Sequence, residues 1–226
     1  VYEKNHTKNI KIYEKLMGER NSSFKSKVLD NVWLDALENQ MSDVSIAIAE
    51  TRLTFISNLN KVLETNLDPV WPRAHLEIYG FVENLVSSWN SGKAKEMLCN
   101  EFKNNRERDF FSKRTNEGVH RSDLFVKEIN KKIEAKKCST GEQKSLLMGI
   151  ILSHLELVSS FKSRYPVLLL DEVLAHFDKI RRQSFFKQIQ EIGSQIIMTG
   201  TDISVFEEFE DLEIYHLNNK KVTDIR

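Results

Sequence analysis

The chain has 226 residues, 40% hydrophobic and 29% charged, a length and composition that suit a soluble protein of one large domain or two small ones. Its 33 basic and 33 acidic side chains cancel, so bulk charge carries no argument for nucleic acid and only the distribution of charge can. No apolar run approaches the roughly 18–20 residues of a membrane span, and Cys99 and Cys138 lie far apart without metal-type spacing, as in a reduced cytosolic protein with neither disulfide nor zinc.

The sequence opens Val1-Tyr2-Glu3-Lys4-Asn5, without an initiator Met or an apolar signal core, and reads as the interior of a longer protein. Lys11 to Arg20 has a helical pattern on Ile12, Tyr13 and Leu16, and Asn21-Ser22-Ser23 supplies a break and cap. From Trp33 to Val62 the positions Trp33, Leu37, Met41, Val44, Ile48, Phe55, Leu59 and Val62 step mostly by three and four. They predict one buried stripe on a helix of up to about 40 residues, or about 60 Å. Two helices joined by a short polar turn suggest an antiparallel arm, or equally an ordinary helical subdomain. Pro69 and Pro72 mark a boundary. His75 to Tyr79 then alternates like a half-buried strand, Lys93 to Phe111 is a charged helical segment, and Leu124-Phe125-Val126 is a short strand candidate.

The C-terminal third alternates helix and strand. A helix is expected over Gly141 to Phe161, a strand buried on both faces over Pro166 to Leu170, and a helix over Asp178 to Ile192 ended by Gly193. A second buried strand follows at Gln195 to Met198, and a hairpin around Asn218-Asn219 closes the chain. This order indicates a parallel α/β sheet. Charge is uneven: Lys93 to Lys137 holds thirteen basic and eight acidic residues, Pro166 to Asn218 four and ten. The basic stretch permits nucleic-acid contact and fits a solvated helix surface equally well.

Two motifs carry chemistry. Asp171-Glu172 follows the Leu168-Leu169-Leu170 run, at the carboxyl end of a strand, where α/β sheets bind ligands. An Asp there can hold Mg²⁺ against β- and γ-phosphate, and the Glu can polarise an attacking water. Alone, such a pair is as readily a cap or half of a salt bridge. Cys138-Ser139-Thr140-Gly141-Glu142-Gln143-Lys144 opens a helix whose free amides attract phosphate. Alone, a Ser followed three residues later by Glu reads first as a capping box. No G-x-x-x-x-G-K-[ST] phosphate loop occurs in the sequence.

Taken together, these motifs resemble the ABC-type ATPase heads of DNA-repair and chromosome-maintenance proteins. In those proteins a Ser-Gly-Gly-Glu-type signature precedes a Walker B strand and a D-loop Asp. Leu174-Ala175-His176-Phe177-Asp178 matches the D-loop. With Gly118-Val119-His120-Arg121-Ser122-Asp123-Leu124 and Met198-Thr199-Gly200-Thr201-Asp202, the pattern is similar to the bacterial RecF family. Glu19-Arg20-Asn21, Arg52-Leu53 and the long helix look like that family's helical insertion. The implied class is α/β. Residues 1–112 would form the helical arm, though the strand near 75–83 could belong to the head. Residues 113–226 would form the C-terminal lobe of a P-loop ATPase head, the Walker A lobe being absent.

The resemblance implies a cytoplasmic, DNA-dependent ATPase that takes ATP and Mg²⁺ and forms a homodimer on ATP. Asp171 would serve the metal and Glu172 the hydrolytic water. Ser139, Thr140, Gly141 and Glu142 form the signature, with Ser139 and Gly141 reaching the γ-phosphate held by the other subunit, and Asp178 lies at the dimer seam. Gapped, single-stranded or junction DNA and RecR- and RecO-like proteins are the implied partners, in recombinase loading and the SOS response; no membrane is involved. His120 and Arg121 could touch nucleotide or the seam, or be structural, and Thr201 is a guess for a switch residue. The rival reading is a non-catalytic scaffold from a split or truncated gene, binding RecR or DNA.

Overall fold

A computed structural model describes residues 5–26, 28–65, 68–161, 166–174, 177–206, 212–218 and 221–224. The chain divides into two compact units, Val1–Phe161 and Lys162–Arg226.

In the first unit, α1 (His6–Ser23) packs along α2 (Asn31–Thr65). With 35 residues and neither Gly nor Pro, α2 runs unbroken for about 52 Å. Asp30 starts it, its carboxylate accepting the backbone N–H groups of Val32 and Trp33, both at 3.0 Å. The expected stripe is nearly right. Leu37, Met41, Ile48 and Leu59 are buried, but Leu34 and Leu63 go inside where Trp33 and Val62 were expected, and Trp33 is 48% exposed. Ile46 is buried as well, although nine residues from Leu37 place it half a turn round the helix. The cause is packing on several sides. Besides α1, α2 touches β1 (Ala74–Tyr79), α3 (Phe81–Ser88), α4 (Ser91–Asn104) and the later helix Thr140–Ser160. It is a central helix and not half of a free-standing pair.

The charged segment expected over 93–111 is split into α4 and α5 (Arg106–Ser112). Strands β2 (Asp123–Glu128) and β3 (Ile133–Glu134) join β1 in an antiparallel sheet of order β1-β2-β3. The edge of β1 that faces α2 is closed by one side chain. Asn60 accepts the Leu76 N–H at 2.9 Å and donates to the Leu76 carbonyl at 2.8 Å, reproducing both bonds of an adjacent strand. The helix Thr140–Ser160 is α6.

Deep in this unit lies Arg20, with no exposed surface. Its Nε donates to Glu38 at 3.0 Å, and Nη1 donates to Asp109 at 2.6 Å and to Thr115 Oγ1 at 2.9 Å. Nη2 donates to the Phe102 carbonyl at 3.0 Å. The rings of Phe24 and Phe102 lie 4.7 and 5.3 Å from the guanidinium carbon. Glu38 also receives the Arg106 guanidinium, at 2.6 Å from Nη2, and Asp109 accepts the Asn116 backbone N–H at 3.1 Å and side-chain amide at 2.7 Å. A buried charge is tolerated only when it is paired and well hydrogen-bonded, and here four of the five guanidinium N–H groups have acceptors, two of them carboxylates.

In the second unit, β4 (Leu168–Asp171) and β5 (Ile196–Thr199) are parallel, connected through α7 (Lys179–Ile192). A parallel neighbour requires such a crossover, so the α/β expectation holds at this point. Gly193 ends α7 in the left-handed region at φ 72°. Burial on both faces is not observed. Leu170 is buried, while Leu169 and Ile197 are 69% and 55% exposed, so the pair alternates and leaves one apolar face open in this chain. A hairpin, β6 (Tyr215–Asn218) with β7 (Lys221–Asp224), forms where expected; Asn219 and Ile225 lie outside the described residues.

Replacing Arg20 by Met leaves Asp109 and Glu38 buried without their shared cation. The expected cost is about 3–5 kcal/mol, seen as a lower urea midpoint, and Arg20→Lys will rescue little because one ammonium cannot reach four acceptors in a plane.

Candidate functional site

Ser139 is the N-cap of α6. Its Oγ accepts the Glu142 N–H at 3.4 Å and Glu142 Oε2 accepts the Ser139 N–H at 3.0 Å, a complete capping box. Lys131, from the β2–β3 turn, donates to Glu142 Oε1. That ammonium, with the Ser139 N–H, holds the Glu142 carboxyl down at about 2. Buried Cys138 anchors the entry, and its carbonyl accepts from the Gln143 amide at 2.9 Å. Ser139, Thr140 and Gly141 are exposed, and a Cβ built on Gly141 would meet nothing within 4 Å. The first amides of the helix thus open onto accessible space.

Asp171 ends β4, in register with Thr199 at the end of β5. Thr199 Oγ1 donates to Asp171 Oδ1. The next residue, Glu172, has φ 51°, the left-handed region that a non-glycine residue rarely adopts. Its N–H is held at 3.2 Å by both the Thr199 carbonyl and Oγ1. Parallel pairing, the Thr199 hydroxyl and this turn set two exposed carboxylates side by side at a strand end. Among the described residues no group of three or more His, Cys, Asp or Glu could hold a metal by itself. After the pair, Leu174 and Phe177 are buried, and the Phe177 N–H donates to the Leu174 carbonyl at 3.1 Å. Asp178 N-caps α7, accepting the Arg181 N–H at 2.9 Å, and pairs with the Arg181 guanidinium at 2.9 Å. Ala175 and His176 lie outside the described residues. Thr201 is exposed.

The Gly118–Asp123 motif lies in the first unit and is held from three sides. Gly118 has φ 134°, and a Cβ there would lie 2.3 Å from the Tyr13 hydroxyl. Arg52 donates to the Val119 carbonyl at 2.7 Å and to buried Glu83 at 3.3 Å. Ser122 donates to the other oxygen of Glu83 at 2.6 Å. His120 Nε2 lies 3.2 Å from the Thr115 carbonyl, which can only accept, so that nitrogen carries the proton. Nδ1 then accepts from Tyr13, at 2.7 Å.

No family model matches the chain. Curated relatives do. The DNA replication and repair protein RecF of Agrobacterium fabrum is 35% identical over 224 residues, covering 96% of this chain and 58% of the relative. That of Mesorhizobium japonicum is 39% identical over 195 residues, covering 86% and 52%. Over nearly its whole length the chain is thus similar to proteins of the RecF family. It spans between half and three-fifths of the length of these relatives. Two solved structures of the recombination mediator protein RecF in the RecFOR pathway share the fold over nearly the whole chain and 60% of theirs. One, RecF-ATP, has a TM-score of 0.80 at 21% identity, and the other, RecF-ATPrS, 0.79 at 19%.

Residue types and spacing singled out the Ser139–Glu142 segment and the acidic pair as candidates but missed the side chains that hold them. Thr199, the partner of Asp171, was only part of a motif; its signal is a Thr that ends an apolar strand in register with the acidic one. Tyr13 stood out only as an apolar position of a helical pattern, and Glu83 and Thr115 carry no local pattern at all. His120 and Arg52, conspicuous in sequence, are engaged in hydrogen bonds within the first unit.

Burial holds His120 below the usual imidazole range and raises the Tyr13 phenol. A ring whose folded pKa is depressed takes up its proton first in the unfolded chain. Stability is therefore complete above the unfolded value, about 6.5, and falls as pH drops toward the folded one. Urea midpoints followed from about pH 8 to 5 should decline below about 6.5, with a shallower decline in His120→Gln.

Proposed function

We propose that this chain is the hydrolytic portion of an ATP-dependent DNA-binding protein of recombinational repair and replication, working in the cytoplasm. The observation that carries the reading is the strand-end arrangement of Asp171, Thr199 and Glu172. A strained backbone held by neighbours is expected where geometry serves chemistry. It occurs in a chain whose relatives are DNA replication and repair proteins and whose fold matches solved RecF-ATP structures.

In this reading residues 1–112 supply the helical insertion and 113–226 the C-terminal lobe of the ATPase head. Asp171 would hold Mg²⁺. One oriented carboxylate suits that ion, which completes its shell with water and phosphate oxygens. The metal would neutralise charge on the transferring phosphoryl group. Glu172 would orient the attacking water. Ser139, Thr140, Gly141 and Glu142 would form the signature, with Ser139 and Gly141 reaching the γ-phosphate of the nucleotide on a second copy and Asp178 at the seam between copies. ATP would then join two subunits and hydrolysis part them, a two-state equilibrium biased by ligand. Gapped or junction DNA, with RecR- and RecO-like proteins, would be the setting, and recombinase loading and the SOS response the outcome.

The test is made in a protein carrying this sequence at the full length of its relatives. Glu172→Gln should keep ATP binding and ATP-dependent dimerisation while turnover drops on the order of 10²–10⁴-fold; unchanged turnover removes Glu172 from its role. Ser139→Arg should instead abolish ATP-dependent dimers in sedimentation or light scattering while each subunit still binds ATP. Normal dimers would count against a signature that acts on the other subunit's nucleotide.

A further inference from the structure

Among the described residues of the first unit, no helix or strand covers the outer face of the β1-β2-β3 sheet. Side chains alternate along strands, so Glu77 and Tyr79 of β1 share this face with Phe125 and Lys127 of β2 and Glu134 of β3. Tyr79 is 53% exposed, and its ring packs edge-on against Phe125 with centroids 5.3 Å apart. Lys127 and Lys136 bring their ammonium groups to 5.5 and 5.9 Å from the Phe125 ring centre. Between the aromatics and the β3 turn lies a depression of about 350 Å³, lined by Tyr79, Phe125, Lys127, Lys132, Ile133, Glu134 and Lys137. Aromatic surface next to cations, on an open antiparallel sheet, is what an unpaired base and its phosphate require.

Three carboxylates share the face, Glu77, Glu134 and Asp123, the last directly opposite Tyr79. Lys127 pairs with Glu77 at 2.8 Å, and Lys136 and Lys137 both pair with Glu134, at 2.7 and 3.3 Å. These pairs are substantially exposed, and such pairs contribute little, so a phosphate can take a carboxylate's place at small cost. Three lysines to one glutamate line the depression, and the charge balance favours an anion.

We infer that this sheet face is a single-stranded nucleic-acid platform, Phe125 and Tyr79 stacking a base while Lys132, Lys136 and Lys137 contact flanking phosphates. A duplex cannot use it in the same way, because its base faces are already stacked on one another. The inference rests on the DNA-binding reading above and adds to it the surface that would hold the strand.

The test uses the whole chain and a fluorescently labelled oligothymidylate, with a duplex of equal length for comparison, read by anisotropy across a salt series. Phe125→Ala should weaken single-strand binding about five- to a hundred-fold, leave the salt slope unchanged and affect the duplex less. The double variant Lys136→Gln/Lys137→Gln should reduce the slope of log K against log salt by about 1.4. Glu134→Gln, which releases both lysines, should tighten binding, a gain that damaged folding cannot imitate. If the wild type binds DNA but Phe125→Ala, Tyr79→Ala and Glu134→Gln bind like it, the platform is wrong and the DNA reading stands. If the wild type binds neither single strand nor duplex, both fall. Displacement of the oligonucleotide by ATP alone would make the face a nucleotide site and overturn the inference.

Discussion

Arg20 is the constraint on which the first unit depends. One guanidinium, wholly out of water, joins α1 to α2 through Glu38, to the end of α4 through the Phe102 carbonyl, to α5 through Asp109 and to the following loop through Thr115. Desolvating it would be prohibitive were any of those acceptors missing, so the arrangement is tolerated in one geometry and penalised in others. The order continues outward. Thr115, fixed by Arg20 and by the Asn21 side chain at 2.7 Å, offers its carbonyl to His120. His120 takes its second bond from Tyr13, which stands over Gly118 where only a glycine fits. Arg52 and Glu83 clamp the other side of the same turn, from which β2 departs.

The two motifs with chemical content are held by different means. The signature is mostly self-contained: a capping box closes on itself, and one ion pair to Lys131 ties it to the β2–β3 turn. The acidic pair needs a second strand. Asp171 is oriented by Thr199, and the left-handed turn at Glu172 is held by both acceptors of that same residue, 27 positions further on. The Ser139–Glu142 box therefore needs only the first turn of α6, whereas the acidic pair needs a parallel pairing that the crossover through α7 makes possible.

This difference governs how much was legible in the sequence. Local devices were readable: the Ser139–Glu142 box, Asp178 as a helix start, Gly193 as a helix end, the alternation of His75 to Tyr79. Non-local ones were not. Nothing near Arg20 announces that it is buried, because its partners lie 18 to 95 residues away. The stripe on α2 slipped by one residue at each end for a related reason. A step pattern finds one buried face, and α2 is covered on several. The apolar runs of β4 and β5 suggested strands buried on both sides, and in this chain only one side is covered. Apolar sequence records what a strand can bury and not which chain supplies the cover.

Capping and the proposed phosphate contact at Ser139 need not be alternatives. In the box, the hydroxyl oxygen accepts the Glu142 N–H, while its own hydrogen is directed to the Glu142 carboxylate and would have to turn from it to a new acceptor. A γ-phosphate oxygen arriving from another subunit would need a donor at that point. The cap aims the hydroxyl and Glu142 supports the backbone behind it. Held ionised by Lys131, Glu142 keeps that support over the whole physiological pH range. The capping box can thus serve as the means by which a signature motif is ordered before any nucleotide meets it, lowering the entropy lost when the second subunit docks.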